Sequence, residues 1–242
     1  NARRQRQMCI RDSISAFSQT SNIFKPIDVF DLEYVSNTQI SPSGDKVLYQ
    51  RNFNDIMTDE SFSNIWLIDY DGSNNRPITT GNFKDNSPKW SNQGDKFLFK
   101  SNREGKSQIF LFDLNNNSIQ KLTNFQYSIE SIQWSPNDNY ILFSSFIDSE
   151  RDTLIQMPVK PKGAKWNDPP VEISDLNYRY DSSGYRKPGE VQFFTIPING
   201  GTPRQISNLK PEKRAGQGVW LGNDKIIFSA NLNEDSDYNT NN

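Results

Sequence analysis

The sequence predicts an all-β protein built from a repeated unit of about 40–50 residues. The main observation is a block that occurs four times, in which a polar turn runs into a short apolar strand; the blocks are 41–49, 90–99, 134–143 and 220–228. Their turns start at Ser41, Ser91, Ser135 and Leu221, in steps of 50, 44 and 86 residues, and 86 is twice 43. Strands and turns with this period are typical of propeller blades. The predicted fold is a β-propeller fragment of about four to five four-stranded blades, in a partial ring.

Each block has the composition of a tight turn between two inner strands. Pro42 and Pro136 follow a serine, and proline presets the backbone angle at the second position of a turn. Gly, Asn and Asp follow, and these residues tolerate or stabilise turn conformations. The next strand is apolar and aromatic, as expected of a strand buried between blades. An ordinary β-sandwich is the alternative, but its turns recur every 8–12 residues.

The blades are predicted, in order, at about 26–80, 86–124, 127–160, 170–207 and, incompletely, 217–242. In the first blade, 27–32 is the expected entry strand. In the second, 108–113 alternates as a third strand and 118–122 is the outer strand. The third blade is expected to include 140–146 and 153–159.

The fourth blade is inferred from the doubled spacing between Ser135 and Leu221. Its neighbouring strands are predicted at 171–178 and 192–198, and the loop 179–189 should join them and project from one face of the ring. Equivalent positions are predicted for two sets of residues: Trp90, Trp134 and Trp220, and Leu48, Leu98, Leu142 and Ile227.

The N-terminal residues require separate treatment. Residues 3–13 correspond to the translation of a common transposase-based sequencing adapter, so we interpret them as non-native and expect them to take no part in the core. Residues 14–25 are a polar lead-in. Without residues 3–13 the net charge changes from −2 to −5, and Cys9, the single cysteine, is lost. The lack of cysteine elsewhere favours a cytoplasmic location, but with the native N-terminus missing the compartment stays open.

The composition excludes several kinds of chemistry. The 242 residues contain no histidine, so they cannot form a Ser-His-Asp or Cys-His nucleophilic site. Two segments, 69–80 and 113–124, begin like calcium-binding loops but lack the required residues at the sixth and twelfth positions, so hairpin turns are predicted instead. We predict no catalytic residue, cofactor or metal site. Neither a basic cluster outside residues 3–13 nor an apolar run near 20 residues is present, which argues against nucleic-acid and membrane partners.

One segment is a candidate for binding. Tyr178, Arg179, Tyr180 and Tyr185 concentrate aromatic rings and positive charge in the loop that interrupts the repeat. One interpretation is an insertion at a blade edge, whose tyrosine rings pack on a neighbour. The other is a loop at the mouth of the ring that contacts substrate or a second domain.

Several segments in this part of the chain, taken in order, resemble a known family; they are 157–166, 168–170, Tyr178-Arg179, Gly184-Tyr185 and 200–206. The chain, over about 26–228, resembles the N-terminal propeller of prolyl oligopeptidase family serine peptidases. The branch is that of the acylaminoacyl-peptidase and dipeptidyl-peptidase-like enzymes. Two departures affect the loop: Asp181-Ser182 replaces the usual Asp-Gly, and 190–192 replaces a Tyr-Thr-His stretch.

The resemblance implies a propeller that covers an α/β-hydrolase domain and restricts entry to short peptides, as a lid over a water-excluded site would. The parent protein would be a serine peptidase that cleaves short peptides or N-terminal (acyl)aminoacyl groups. Its Ser, Asp and His would lie downstream of this sequence, so this fragment is expected to be inactive alone. Because propellers host many functions, the alternative is a non-enzymatic scaffold that binds a protein or small-ligand partner.

Overall fold

The computed structural model describes residues 24–149, 158–167, 170, 172–173, 176, 178–181, 184–209 and 216–232. Within them the chain forms three four-stranded antiparallel sheets, which we call blades 1 to 3, and two two-stranded hairpins. The predicted all-β class and partial propeller are confirmed. The adapter-like segment 3–13 lies outside the described residues, so its exclusion stays a prediction. No helix in the described ranges is long and apolar enough to cross a membrane.

The blades follow one another along the chain. Blade 1 contains β1 (Tyr34–Ile40), β2 (Lys46–Asp55), β3 (Glu60–Asp69) and β4 (Arg76–Pro77). Blade 2 contains β5 (Asn86–Trp90), β6 (Lys96–Ser101), β7 (Gln108–Asp113) and β8 (Ser118–Lys121). Blade 3 contains β9 (Ile129–Trp134), β10 (Tyr140–Asp148), β13 (Gly189–Pro197) and β14 (Arg204–Gln205). The hairpins are β11 (Arg179–Tyr180) with β12 (Gly184–Tyr185), and β15 (Val219–Leu221) with β16 (Lys225–Ile227).

The predicted entry strand at 27–32 is wrong. A 3₁₀ helix occupies Pro26–Asp31, and the first strand begins at Tyr34. Proline at the first helical position favours this start, because its fixed backbone angle is already helical. The carboxylate of Asp28 accepts the backbone N–H of Lys25 at 2.8 Å, which satisfies a free donor at the helix start.

The prediction of a separate fourth blade at 170–207 is also wrong. Strand β13 pairs with β10 without interruption, from Tyr140 opposite Pro197 to Asp148 opposite Gly189. The segment 192–198 therefore belongs to the third sheet, and the described residues of 171–178 lie in no strand. The predicted blades 127–160 and 170–207 merge into one blade with an insertion at 149–188, which we call the insertion. Of the predicted strand 153–159, residues 153–157 lie outside the described ranges.

A buried hydrogen-bond cluster, which we call the latch, identifies the third strand of a blade. In blade 2 the side-chain oxygen of Gln108 accepts the Thr123 hydroxyl at 2.9 Å and the Phe125 N–H at 2.8 Å. Its amide nitrogen donates to the Phe125 carbonyl at 2.9 Å. The latch ties β7 to the chain beyond β8 and satisfies polar groups that would be costly to bury unpaired.

Blade 3 has the same latch, which explains why β13 takes the third position. The side-chain oxygen of Gln192 accepts the Ser207 hydroxyl at 2.6 Å and the Leu209 N–H at 3.1 Å. The Gln192 amide donates to the Leu209 carbonyl at 2.8 Å. In this respect β13 and the chain beyond β14 reproduce β7 and the chain beyond β8.

The repeated blocks occupy equivalent positions, as predicted. Each tryptophan of the first set lies opposite an apolar residue of the next strand: Trp90 opposite Phe97, Trp134 opposite Ile141 and Trp220 opposite Ile226. The residues that follow these partners are Leu98, Leu142 and Ile227. In blade 1, Ile40 takes the tryptophan position opposite Val47, and Leu48 follows. Two of the indoles join consecutive blades: Trp90 donates to the Gln39 carbonyl at 3.0 Å, and Trp134 donates to the Lys89 carbonyl at 2.9 Å.

The core lies between blades. We call the side of a blade that meets the preceding blade its backward face, and the opposite side its forward face. The backward face of blade 2 (Phe97, Phe99, Phe110, Phe112) packs on the forward face of blade 1 (Leu48, Ile65, Leu67). The forward face of blade 2 (Leu98, Ile109, Leu111) packs on blade 3. Each such buried side chain stabilises the fold by about 1.5–3 kcal/mol, because both faces of the sheet are removed from water.

Candidate functional site

The insertion leaves blade 3 at a defined end of the sheets. Because strands in each blade are antiparallel, the connections between second and third strands lie at one end, which we call the insertion end. They are residues 56–59 in blade 1, 102–107 in blade 2 and 149–188 in blade 3. The turns of the repeated blocks lie at the opposite end. The predicted loop 179–189 lies within this insertion, but it does not join two strands as predicted, because the described residues of 171–178 lie in no strand. That it projects from one face of the ring stays a prediction.

The two ends of the insertion meet at a narrow base. Asp148 pairs with Gly189, and the Ser149 N–H donates to the Pro188 carbonyl at 3.1 Å, which extends the ladder by one step. Gly189 has φ of +142°. A Cβ atom there would lie 2.3 Å from the Ile147 carbonyl oxygen, so a larger residue cannot fit without moving backbone. The base therefore requires glycine.

The structure brings the four predicted site residues together in the β11–β12 hairpin. Arg179 pairs with Tyr185, and the Arg186 N–H donates to the Tyr178 carbonyl at 2.8 Å. The rings of Tyr178 and Tyr185 stack, with centroids 6.4 Å apart and planes 30° apart. The rings of Tyr178, Tyr180 and Tyr185 are all exposed. The hairpin thus presents three aromatic rings and a guanidinium group to solvent.

This arrangement is suited to binding rather than to covalent catalysis. Tyrosine rings provide flat apolar contact with a polar tip, and a guanidinium group binds carboxylates or peptide carbonyls. A nucleophilic mechanism needs a base beside the nucleophile, and with no histidine in the chain the usual base is missing. The described residues include no group of three metal-ligating side chains.

The sequence interpretation missed an ion pair at the same end of blade 2. The carboxylate of Asp85 is fully buried and accepts two hydrogen bonds, each 3.1 Å long, from one terminal nitrogen of Arg103. The Arg103 guanidinium also lies 4.7 Å from the centre of the Phe110 ring. The turn signal Arg103-Glu104-Gly105 after an apolar strand marks the loop, but it does not indicate that Arg103 meets Asp85. This pair anchors the short loop 102–107.

Ionisable groups with displaced pKa values lie elsewhere in the blades. Burial lowers the pKa of Lys100, whose ammonium group donates to the backbone carbonyl of Glu130. Hydrogen bonds from Ser43, and then from Lys46, lower the pKa of Asp45 in the first block. Since Asp45 and its partners belong to a turn, the shift reflects turn stabilisation rather than acid–base chemistry.

The two calcium-loop-like segments are hairpin turns, as predicted. The first connects β3 with β4, where the Gly72 N–H donates to the Asp69 carbonyl at 2.9 Å. The second connects β7 with β8, and the Asp113 carboxylate accepts the Asn115 N–H at 2.9 Å. In both segments an aspartate stabilises the turn by bonding to backbone or side-chain groups a few residues ahead.

Comparison with known families agrees with this architecture. The family model described as the TolB beta propeller domain (PD40) matches residues 39–165, just over half of the chain. The chain belongs to the TolB beta propeller domain family. The matched region contains most of blade 1, all of blade 2 and the first two strands of blade 3.

The curated relatives of this propeller are peptidases. It is 26% identical over 215 residues to the uncharacterized peptidase YuxL of Bacillus subtilis, covering 87% of this chain and 31% of YuxL. It is 36% identical over 133 residues to dipeptidyl-peptidase 5 of Porphyromonas gingivalis, covering 55% of this chain and 19% of that enzyme. The chain thus spans less than a third of the length of either relative.

A solved structure supports the fold. Acylaminoacyl peptidase of Pyrococcus horikoshii aligns with a TM-score of 0.60 and 20% identity. The alignment covers 82% of this chain and 28% of that chain. At this identity the likeness concerns the fold alone.

Proposed function

We propose that this chain is the substrate-gating propeller of a serine peptidase of the prolyl oligopeptidase family. The parent enzyme cleaves short peptides or N-terminal (acyl)aminoacyl groups. An α/β-hydrolase domain on the same polypeptide supplies the catalytic Ser, Asp and His. The propeller limits access to that domain, and the β11–β12 hairpin contacts the peptide or the hydrolase domain.

The match to YuxL carries this proposal. It covers 87% of this chain but only 31% of a peptidase, so most of that relative lies outside the aligned propeller. The absence of histidine from the 242 residues supports the same division of labour, because a Ser-His-Asp triad cannot be assembled here. The exposed Tyr178, Arg179, Tyr180 and Tyr185 provide a binding surface without catalytic groups.

Assays of the 242-residue chain test the division of labour. Purified chain should not hydrolyse chromogenic acylaminoacyl or dipeptidyl substrates above the buffer rate. A polypeptide that joins the propeller to a hydrolase segment with a G-x-S-x-G elbow should hydrolyse them and be blocked by a serine-directed inhibitor. Activity of the isolated chain that the same inhibitor abolishes would overturn the proposal.

The gating role is tested by variants of the hairpin in the joined polypeptide. Replacing Tyr178 or Tyr185 with Ala removes an aromatic contact of about 0.5–1.5 kcal/mol, which corresponds to a rise in KM of about 2- to 10-fold. The control is Tyr70→Ala, because Tyr70 is 82% exposed but lies at the opposite end of blade 1. A KM and a peptide-length preference that stay the same in the hairpin variants would refute the role.

A further inference from the structure

Many basic side chains of blades 1 and 2 are bonded within the fold. Five of them form ion pairs with carboxylates: Lys46, Arg51, Lys96, Arg103 and Lys121. Two more, Lys100 and Lys106, donate to backbone carbonyls. The insertion differs, because no ion pair among the described residues involves any of its lysines or arginines. The charges of these side chains are therefore free to act on a ligand.

Two described segments of the insertion are cationic, although the chain as a whole has a net charge of −2. Segment 158–167 contains three lysines and no acidic residue, and segment 178–187 contains three basic residues and one acidic residue. The stretch between them, 168–177, contains three acidic residues and no basic one, so the positive charge is confined to the two segments. The three lysines of the first segment are exposed, as are Arg179 and Lys187 of the second.

In the β11–β12 hairpin a guanidinium group shares one face with tyrosine rings. Arg179 lies directly opposite Tyr185 in the antiparallel pair, and directly opposed side chains lie on the same face of a sheet. The ring of Tyr178 stacks on that of Tyr185. None of the ion pairs and side-chain hydrogen bonds among the described residues uses these three side chains. The face thus presents a guanidinium fork and two phenol hydroxyls, all of which can donate to one carboxylate.

We propose that this face of the hairpin binds a carboxylate of the peptide, so that the parent enzyme prefers acidic peptides. The inference rests on the proposed function and specifies its substrate class. Arg179 pairs with the carboxylate, and the rings of Tyr178 and Tyr185 pack on the adjoining part of the peptide. The lysines of 158–167 attract acidic peptides and raise their rate of encounter. The carboxylate is that of an Asp or Glu side chain or of a free C-terminus.

Isothermal titration calorimetry of the 242-residue chain with three peptides tests the proposal and distinguishes the two sources. The neutral reference is acetyl-Ala-Gln-Gln-Ala-amide; acetyl-Ala-Glu-Glu-Ala-amide adds side-chain carboxylates, and acetyl-Ala-Gln-Gln-Ala with a free C-terminus adds one main-chain carboxylate. At least one charged peptide should bind about threefold or more tighter than the reference. Its advantage should shrink between about 0.1 and 1 M salt, because the Debye length falls from about 10 to 3 Å.

Charge reversal locates the binding site. Arg179→Glu should raise the dissociation constant of the tighter charged peptide by about 3- to 10-fold and leave that of the neutral peptide unchanged. Arg179→Lys keeps the charge but loses the planar fork, so its effect should be smaller. Arg76→Glu is the matched control, because Arg76 is an exposed arginine near the opposite end of blade 1. Circular dichroism of each variant checks that the sheets persist.

Three results would overturn the proposal. They are equal affinity for charged and neutral peptides at low salt, no binding of any of the three peptides, and an Arg76→Glu variant that binds as weakly as Arg179→Glu. The joined polypeptide adds a further test: if Arg179→Glu slowed hydrolysis of neutral and acidic peptides equally, the hairpin would contact the hydrolase domain instead. Calorimetry needs no catalysis, so its failure would leave the peptidase assignment intact, whereas an inactive joined polypeptide would contradict that assignment alone.

Discussion

Blades 2 and 3 share one scaffold and differ in a single connection. Six residues, 102–107, join the second and third strands of blade 2, and forty residues, 149–188, join those of blade 3. Both blades keep the same antiparallel pairing and the same latch. Both also have a stacked pair of phenylalanine rings between the second and third strands, Phe99 with Phe110 and Phe143 with Phe194. Lengthening a flexible connection from six to forty residues costs only about 2 kcal/mol of closure entropy. Burial of two or three core side chains outweighs that cost, so the sheet survives the insertion.

The two connections also differ in what they present to solvent. In blade 2 the loop is held by Arg103, whose charge is neutralised by the buried Asp85. In blade 3 the insertion exposes the Tyr178, Tyr180 and Tyr185 rings. The short loop uses its charged groups for its own structure, whereas the insertion presents aromatic rings to solvent. Binding residues on loops supported by a rigid scaffold are a common arrangement.

The largest expected effect separates the base of the insertion from the short loop. Gly189→Ala should lower the free energy of unfolding by about 3 kcal/mol, because the added methyl group meets the Ile147 carbonyl and the backbone conformation is also unfavourable. Gly105→Ala is the matched control in blade 2, since Gly105 also has positive φ but open space around its Cα. The Gly105→Ala substitution should lower the free energy of unfolding by only about 1–2 kcal/mol. Urea unfolding measures both, and equal losses would show that the base is not sterically restricted.

The latch gives a smaller effect that should be the same in the two blades. Gln108→Leu and Gln192→Leu each leave a hydroxyl proton without its acceptor and a backbone N–H and carbonyl without partners, so each should cost about 2–3 kcal/mol. Gln120→Leu, an exposed position on β8, should change the free energy of unfolding by less than about 0.5 kcal/mol. If Gln192→Leu were as mild as Gln120→Leu, β13 would not be held as the equivalent of β7.

The latch also explains why the sequence misled about the fourth blade. The hairpin blocks mark only the start of a blade, so the doubled step between Ser135 and Leu221 could mean a hidden blade or an insertion. The latch residues that follow the outer strands mark the end of a blade. Thr123 and Ser207 are these residues, and Thr79 of blade 1 likewise accepts a third-strand N–H, that of Ile65; between Thr123 and Ser207 the described structure places one blade. When the hairpin block that starts a blade is considered together with the hydroxyl residue that ends it, the sequence favours an insertion. Only one blade end, at Ser207, occurs between Ser135 and Leu221.

Other features could be predicted because they depend on local chemistry. The block turns form as expected: the hydroxyl oxygens of Ser41, Ser91 and Ser135 accept the backbone N–H five residues later at 2.9–3.2 Å. The grouping of Tyr178, Arg179, Tyr180 and Tyr185 is short-range and also followed from sequence. The Asp85–Arg103 pair is 18 residues apart, and no local pattern specifies that the two side chains meet.

The smallest expected effect concerns a carboxylate in blade 2 whose place in blade 3 is taken by an amide. The Ser91 hydroxyl donates to the Asp95 carboxylate at 3.1 Å, whereas the Ser135 hydroxyl donates to the Asn137 side-chain oxygen at 2.8 Å. Burial tends to raise the pKa of Asp95, but bonds from Lys96 and Ser91 outweigh it, so this pKa lies below the ordinary value near 4. The Ser91–Asp95 bond of blade 2 is therefore sensitive to acid, whereas the Ser135–Asn137 bond of blade 3 involves no titratable group.

The sign of the pH effect follows from the lowered pKa. A carboxyl whose pKa is lower when folded stabilises the fold above about pH 4, and the contribution is lost as pH falls through the folded pKa. Asp95→Asn should therefore lower the free energy of unfolding by at most about 1 kcal/mol at pH 7, because the group is partly exposed and screened. The loss should shrink toward pH 2. Asn137→Ala removes the neutral acceptor of the Ser135 hydroxyl. Urea titrations should therefore give the same decrease in the free energy of unfolding at pH 7 and at pH 2 for this variant. An Asp95→Asn penalty that did not change between pH 7 and pH 2 would mean that the two turns differ in shape rather than in charge.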